Sequence, residues 1–135
     1  MRVFLDCNVI LDVLNRRAEF FESSARVLDV CESGQLHGAL AWHTLANVHY
    51  LADDRKVALE FLDDLLSFVE VAGGDTDLAR AAVRSKFDDF EDALQSVLAE
   101  KFRADFIITR NAKDFRASAV KAISPADFTA RFLSK

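Results

Sequence analysis

The chain has 135 residues, of which 51% are hydrophobic, and carries a formal net charge of −5. This length supports one domain with a substantial core and is too short for two. The acidic balance argues against a protein that wraps nucleic acid through bulk positive charge. No run approaches the roughly 18 uninterrupted apolar residues of a membrane span, and the N-terminal stretch MRVFLDCNVILDVL meets an acid too early for a signal peptide. We therefore expect a cytoplasmic protein with no membrane partner.

The charge is unevenly distributed along the chain. Residues 1–100 hold nine Lys and Arg against nineteen Asp and Glu, a net of −10, whereas residues 101–135 hold eight against three, a net of +5. Scattered Lys and Arg are by default a solvated surface. The basic segment is nevertheless the part of the chain that could contact phosphates.

The predicted elements alternate between strands and helices. RVFLD is a buried strand ending at Asp6, and Asn8 and Asp12 are expected to cap or stabilise the first helix turn. Apolar residues at helical spacing predict helices over residues 19–32, 42–52 and 56–67. LHGAL and FVEVA are weaker strand candidates. Near the end come a helix headed by FDDFEDAL, a strand in ADFIITR, a short strand in VKAIS and a terminal helix capped by Ser124.

Strands that alternate with helices of about 10–15 residues indicate βαβ units and a parallel sheet covered on both faces. The chain has only four glycines, and Gly73-Gly74 reads as a turn. It has no Gly-rich phosphate loop, which excludes the common nucleotide-binding motifs of α/β proteins.

Cysteine and histidine spacing gives no metal site. Cys7 and Cys31 match neither a zinc pattern nor a disulfide framework and are expected to be buried in apolar surroundings. His43 and His49 are six residues apart and do not share a helical face.

The stretch FDDFEDAL places four carboxylates at the head of an apolar helix. Acids near a helix N-terminus interact well with its dipole, and Asp88 with Glu91 resembles a capping box. Asp88 or Asp89 is expected to start the helix, and Glu91 either caps it or faces a metal. Asp92 lies a turn further in, at the edge of the buried face, where an unpaired charge is costly. It is therefore expected to meet a cation.

Acidic side chains also follow two predicted strands. Asp6 ends the first strand, and Asn111 and Asp114 lie just past ADFIITR. Ligands of parallel sheets bind beyond the carboxyl ends of the strands, so Asp6, Asp92 and Asp114 can meet in one cleft. Clustered carboxylates repel unless a cation joins them, and such oxygen ligands suit Mg²⁺ or Mn²⁺.

Four stretches resemble a PIN-domain protein of the subgroup related to VapC-type toxins: FLDCNVILDVL, WHTLANVHYL, DFEDALQSVLAEKFRADFIITRNAKDF and SPADF. The resemblance spans almost the whole chain. It implies a single PIN domain over residues 1–135, with a Rossmann-like three-layer α/β/α sandwich around a parallel sheet of four to five strands. It further implies a Mg²⁺- or Mn²⁺-dependent endoribonuclease that hydrolyses RNA, the toxin of a type II toxin–antitoxin pair, with a cognate antitoxin as partner and a homodimer as a common assembly.

Carried over position by position, the resemblance makes Asp6 and Asp92 the principal catalytic, metal-binding acids. Asp114 joins them at the fourth acidic position, with Asn111 and Glu91 in supporting roles. Neighbouring basic residues would hold flanking RNA phosphates: Arg110, Lys113 and Arg116.

One position departs from the family pattern. PIN domains usually carry a Glu on the helix after the second strand, where TLANVHY has Asn47. An amide can ligate a metal or orient water, but it adds no charge and cannot act as a general base. Glu91 is a candidate to compensate. The alternative function is a PIN-fold RNA- or protein-binding module with weakened or lost nuclease activity. A receiver-like domain is a third class, but the chain lacks a convincing pair of phosphoacceptor Asp and late Lys.

Overall fold

In the computed structural model, which describes residues 1–133, five parallel strands form one sheet. Their order across the sheet is third, second, first, fourth, fifth, which confirms the predicted parallel sheet. The strands are β1 (Arg2–Leu5), β2 (His37–Ala41), β3 (Val69–Ala72), β4 (Phe106–Ile108) and β5 (Ala122–Ile123).

Seven α-helices connect and follow these strands within the described residues. They are α1 (Cys7–Leu14), α2 (Phe21–Glu32), α3 (Trp42–Leu51), α4 (Arg55–Leu65), α5 (Thr76–Val83), α6 (Phe90–Phe102) and α7 (Pro125–Phe128). A 3₁₀ turn covers Ala112–Phe115, and a π-helical turn covers Thr129–Leu133. Of the α-helices, only α5 has no counterpart among the predicted elements; it is eight residues long, and Ala82 is its single buried residue. None of the helices within residues 1–133 is long and apolar enough to cross a membrane.

Alternating residues of the central strand enter two separate cores. Val3 and Leu5 point into a core shared with α1, α2, α3, α4 and α7, whereas Phe4 points into a core shared with α6. Successive side chains of a strand face opposite sides of a sheet, so each face of the sheet is covered by helices. This is the three-layer α/β/α architecture expected from the sequence.

The direction in which successive strands are added to the sheet reverses beside β1. Connections run from β1 to β2 and β3 on one side, and the chain then returns to place β4 against the other edge of β1, with Leu5 paired to Ile108. Open parallel sheets bind ligands at such a reversal, outside the carboxyl ends of the strands. The residues that follow Leu5 and Ile108 are therefore next to each other at the expected position of a site.

Candidate active site

Asp6 is the N-cap of α1 and sits buried at the carboxyl end of β1. Its Oδ1 accepts the backbone N–H of Cys7 at 2.7 Å and a short hydrogen bond from Gln95 Nε2. Its Oδ2 accepts from Thr109 Oγ1 at 2.7 Å and from Asn8 Nδ2 at 3.1 Å. The first turn of α1, the residue after β4 and helix α6 thus all donate hydrogen bonds to one carboxylate.

These four donors occupy the approximately four lone-pair positions of the Asp6 carboxylate. A cation bound there must take the place of one donor, and Asn8 is the only one of the four that is not buried. Burial raises the pKa of Asp6 despite the hydrogen bonds, which lower it. The site therefore holds Asp6 firmly in place while disfavouring its charge, a cost that a bound cation would offset.

Of the two aspartates expected to start helix α6, Asp88 and Asp89, the structure selects the second. Asp89 is the N-cap, and its Oδ1 accepts the N–H of Asp92 at 3.1 Å. The predicted capping box of Asp88 with Glu91 is therefore wrong, because the cap reaches the third residue of the helix and that residue is Asp92. Glu91 is consequently free to face another element.

Three acids cluster at this helix start. One carboxylate oxygen from each of Asp89, Glu91 and Asp92 lies within 4.8 Å of the others. Burial, followed by the negative charges of Asp89, Asp6, Glu91 and Asp114, raises the pKa of Asp92 to about 7. In the described residues no Lys or Arg forms an ion pair with Asp89 or Asp92.

Helix α3 contacts the cluster through its polar face. Asn47 Nδ2 donates to Glu91 Oε2 at 2.9 Å, and His43 Nε2 lies 3.5 Å from the same oxygen. Asn47 and His43 are four residues apart and so share a helical face. Asn47, where the sequence resemblance led us to expect a Glu, thus donates to Glu91 instead of supplying a charge itself.

The segment after β4 completes the cleft. Thr109 Oγ1 accepts the N–H of Asn111 at 3.0 Å, and the N–H of Asp114 donates to the carbonyl of Asn111 at 2.9 Å, which forms the 3₁₀ turn. Thr109, which also donates to Asp6, therefore fixes this turn relative to β1.

All the predicted acidic and amide positions meet in one cleft of about 340 Å³. Among the described residues that line it, Arg17 is the one cation, against five carboxylates. The polar residues that line it are Asp6, Asn8, Arg17, Asn47, Asp89, Glu91, Asp92, Asn111 and Asp114.

An adjoining cleft of about 400 Å³ brings three basic side chains close to four carboxylates. It shares Asp89, Asp92 and Asp114 with the acidic cleft. Two predicted phosphate contacts, Lys113 and Arg116, line it together with Lys86.

Arg110 has different partners. Its Nε donates to Asp12 Oδ2 at 3.0 Å, and its guanidinium lies 4.0 Å from the centre of the Phe20 ring. Asp12 is fully buried, also accepts from Ser24 Oγ at 3.1 Å, and lies 3.5 Å from Arg17. The expectation that Asp12 stabilises the first turn of α1 is wrong, because this carboxylate instead pairs with arginines from other segments.

Gln95 and Asp89 are site residues that the sequence analysis missed: Asp89 lines both clefts, and Gln95 donates to Asp6 from the protein interior. Gln95 is fully buried on α6, and its Oε1 has no hydrogen-bond partner in the described residues. The signal was a polar residue among the apolar positions of that helix. The expected burial of Cys7 and Cys31 is confirmed, and burial raises the pKa of both thiols to about 12.

Comparison with known families decides the relationship. The model of a family described as PIN domain matches residues 2–113. The chain belongs to the PIN-domain family. That residues 1–135 form a single PIN domain stays a prediction.

Similar proteins carry the VapC name found in the sequence resemblance. Ribonuclease VapC1 of Aquifex aeolicus (strain VF5) is 25% identical, over 97% of this chain and 95% of that protein. The structure of VapBC2 from Rickettsia felis bound to a promoter DNA fragment has a TM-score of 0.71 at 17% identity, covering 92% of this chain and 98% of that one. A toxin–antitoxin complex from Klebsiella pneumoniae has a TM-score of 0.69 at 23% identity, covering 91% and 97%. The predicted resemblance to VapC-type PIN domains is confirmed.

Proposed function

We propose that this PIN domain is a Mg²⁺- or Mn²⁺-dependent endoribonuclease that hydrolyses phosphodiester bonds in RNA. The observation that carries the proposal is the accumulation of five carboxylates around one cleft at the sheet reversal, where the pKa of Asp92 is raised to about 7. Repulsion between these carboxylates destabilises the folded protein, and a hard divalent cation bound among them would offset it.

The donor set fits such an ion. Asp6 and Asp92 would hold it, with Glu91, Asp114 and the carbonyl oxygens of Asn111 or Asn47 as further oxygen donors. The chemistry that Mg²⁺ or Mn²⁺ supplies when bound is that of a Lewis acid, which lowers the pKa of water and offsets negative charge on a phosphate.

The chain itself supplies orientation and proton transfer. Thr109 and Gln95 hold the Asp6 carboxylate against rotation, and Asn47 holds Glu91 toward the cleft. Asp114 lines the cleft, and its carboxylate would accept the proton of the attacking water. Asn111 would orient that water. Lys113 and Arg116 would hold the flanking phosphates.

The names of similar proteins support a role as the toxin of a type II toxin–antitoxin pair. One relative is named a ribonuclease, and solved neighbours are VapBC or toxin–antitoxin complexes. The cognate antitoxin would be a protein encoded beside this chain, and a homodimer remains a prediction.

An RNA cleavage assay tests the proposal. Purified protein incubated with unstructured RNA should cleave it with Mn²⁺ or Mg²⁺ and should stop when EDTA is added. Asp6→Asn should remove the activity, while Asp63→Asn, an exposed acid on α4 outside both clefts, should retain it. Cleavage that survives EDTA and Asp6→Asn would reject the proposal.

Asn47 favours a second candidate, an RNA- or protein-binding module with weakened nuclease activity. The amide removes one negative charge from the donor set, and affinity for hard cations depends on the number of charged ligands. RNA binding without metal-dependent cleavage by the wild-type protein would support this candidate.

A further inference from the structure

Arg17 lines the acidic cleft without pairing to any of the carboxylates there. Within residues 1–133 its one ion pair is with Asp12, whose Oδ1 lies 3.5 Å from Arg17 Nη1 and accepts no hydrogen bond. The Arg17 side chain is 39% exposed, whereas that of Asp12 is fully buried. The guanidinium of Arg17 is therefore open to a ligand in the cleft.

The turn between α1 and α2 fixes the backbone of Arg17. Its N–H donates to the carbonyl of Asp12 at 3.0 Å, and its carbonyl accepts the N–H groups of Phe20 and Phe21 at 2.9 and 2.8 Å. The preceding residue, Arg16, has a left-handed φ of 49°. A residue held by this many backbone contacts presents its side chain to the cleft from a constant position.

The buried partner of Arg17 is satisfied by other residues. Asp12 Oδ2 accepts from Arg110 Nε at 3.0 Å and from Ser24 Oγ at 3.1 Å. The Arg110 guanidinium also lies 4.0 Å from the centre of the Phe20 ring, so Arg110 is committed to the fold. Arg17 differs, because its contact with Asp12 is an ion pair without a hydrogen bond. The Asp12 carboxylate thus attracts the positive charge of Arg17 and leaves its hydrogen-bond donors unused.

We propose that Arg17 binds the phosphodiester group placed in the acidic cleft and is a catalytic residue of the proposed nuclease. Five carboxylates repel a phosphate, and Arg17 is the cation that the described residues supply at this cleft. A planar guanidinium can donate two parallel hydrogen bonds to the non-bridging phosphate oxygens. The inference rests on the proposed ribonuclease function and deepens it by assigning a residue that contacts the reacting group.

The guanidinium would act on charge that develops during hydrolysis. The oxygen of the attacking water bonds to phosphorus, its proton passes to Asp114, and the bond to the leaving ribose oxygen breaks as that oxygen takes a proton from solvent. Negative charge on the non-bridging oxygens is offset by donors already in place. Arg17 should therefore affect kcat more than KM.

Steady-state cleavage of an RNA oligonucleotide with Mn²⁺ measures this effect. Arg17→Gln should lower kcat by roughly 100-fold with little change in KM, as expected for the loss of one donor to the transition state. Arg16→Gln is the matched control, because it removes the same charge from an exposed neighbour outside both clefts, and it should cleave like the wild type. A raised KM at unchanged kcat in Arg17→Gln would overturn the proposal, since the contact would then be with a flanking phosphate.

A Mn²⁺ titration separates Arg17 from the proposed cation ligands. Arg17→Gln should bind Mn²⁺ at least as tightly as the wild type, because it removes a positive charge from the cleft. Weaker Mn²⁺ binding by the folded variant would overturn the proposal, since Arg17 would then act through the cation site. If Arg17→Gln does not fold, Arg17→Lys keeps the charge beside Asp12. Its ammonium lacks the planar fork, so kcat should still fall, and wild-type kcat in folded Arg17→Lys and Arg17→Gln would overturn the proposal.

RNA binding in EDTA distinguishes this inference from the proposed function. The logarithm of the association constant of a labelled single strand falls with the logarithm of the salt concentration, by about 0.7 for each phosphate contact. Arg17→Gln should lessen this slope by about 0.7 and Arg16→Gln should not. Equal slopes in the two variants would overturn the contact, even if the wild type cleaves RNA with metal. A lessened slope in Arg17→Gln beside a wild type that never cleaves RNA would support the contact and reject the nuclease.

Discussion

Asn47 donates from its Nδ2 to Oε2 of Glu91 over 2.9 Å, which links α3 to the start of α6. Helix α3 has Asn47 in place of the expected Glu and contributes to the site through this hydrogen bond. The carboxylate beside the cleft comes from α6, and the amide on α3 orients it. The two positions therefore act as a pair, and each can be tested through the other.

Glu91→Gln should weaken Mn²⁺ binding by roughly tenfold, because it removes one negative charge from the donor set. Asn47→Ala should weaken it less, since Glu91 keeps its charge and loses only its orientation. Glu100→Gln, an exposed position on the same helix, is the matched control. Calorimetric titration measures all three, and equal affinities for Glu91→Gln and Glu100→Gln would remove Glu91 from the site.

Asp92 should make the metal-free protein less stable as the pH rises. Its pKa is raised to about 7 in the folded protein, against an ordinary value of 3.8. Between these values the folded state binds more protons than the unfolded state, so stability falls with increasing pH. In urea denaturation with EDTA, Asp92→Asn should exceed the wild type near pH 8 and approach it near pH 4. A constant difference across this range, or one no larger than for Asp63→Asn, would contradict the pKa assignment.

Asp89 should stabilise α6 as its N-cap. Asp89→Ala should lower the free energy of unfolding by about 1 kcal/mol, whereas Asp89→Asn should preserve the cap. Denaturation should be measured at about pH 5, where Asp92 is protonated. Removing Asp89 then relieves no charge repulsion with Asp92, so the change in stability reports the loss of the cap. Asp88→Ala is the neighbouring control, and a larger loss there than in Asp89→Ala would restore the capping box predicted from the sequence.

Arg110 and Arg116 should differ in what they support. Arg110→Ala should cost about 3 kcal/mol of stability, because it leaves the buried Asp12 carboxylate with Arg17 and Ser24 alone. Arg116→Ala should change stability by less than about 0.5 kcal/mol and weaken RNA binding instead. Normal stability with a greater loss of RNA affinity in Arg110→Ala would return Arg110 to the phosphate-binding role predicted from the sequence.

The sequence was sufficient for the features that follow from local pattern. The apolar strands, the acid after β1 and the TRN segment after β4 predict that Asp6 and Asn111 lie at the carboxyl ends of parallel strands, near the reversal of strand order. Contacts made across the fold could not be read in this way. Gln95 reaches Asp6 over 89 positions of the chain and Arg110 reaches Asp12 over 98, and the local pattern does not give the partner of either side chain. The cap of α6 could be predicted only as Asp88 or Asp89, because adjacent aspartates have equal capping propensity.

The most direct test of a cation site in the acidic cleft is a calorimetric Mn²⁺ titration of the wild type beside Asp92→Asn. Removing this carboxylate takes away both a ligand and a charge. The wild type and the Asp63→Asn control should bind Mn²⁺ with matching affinity, and Asp92→Asn should bind at least roughly tenfold more weakly while remaining folded. Wild-type affinity in folded Asp92→Asn would contradict the site, and with it the metal-dependent nuclease built on it.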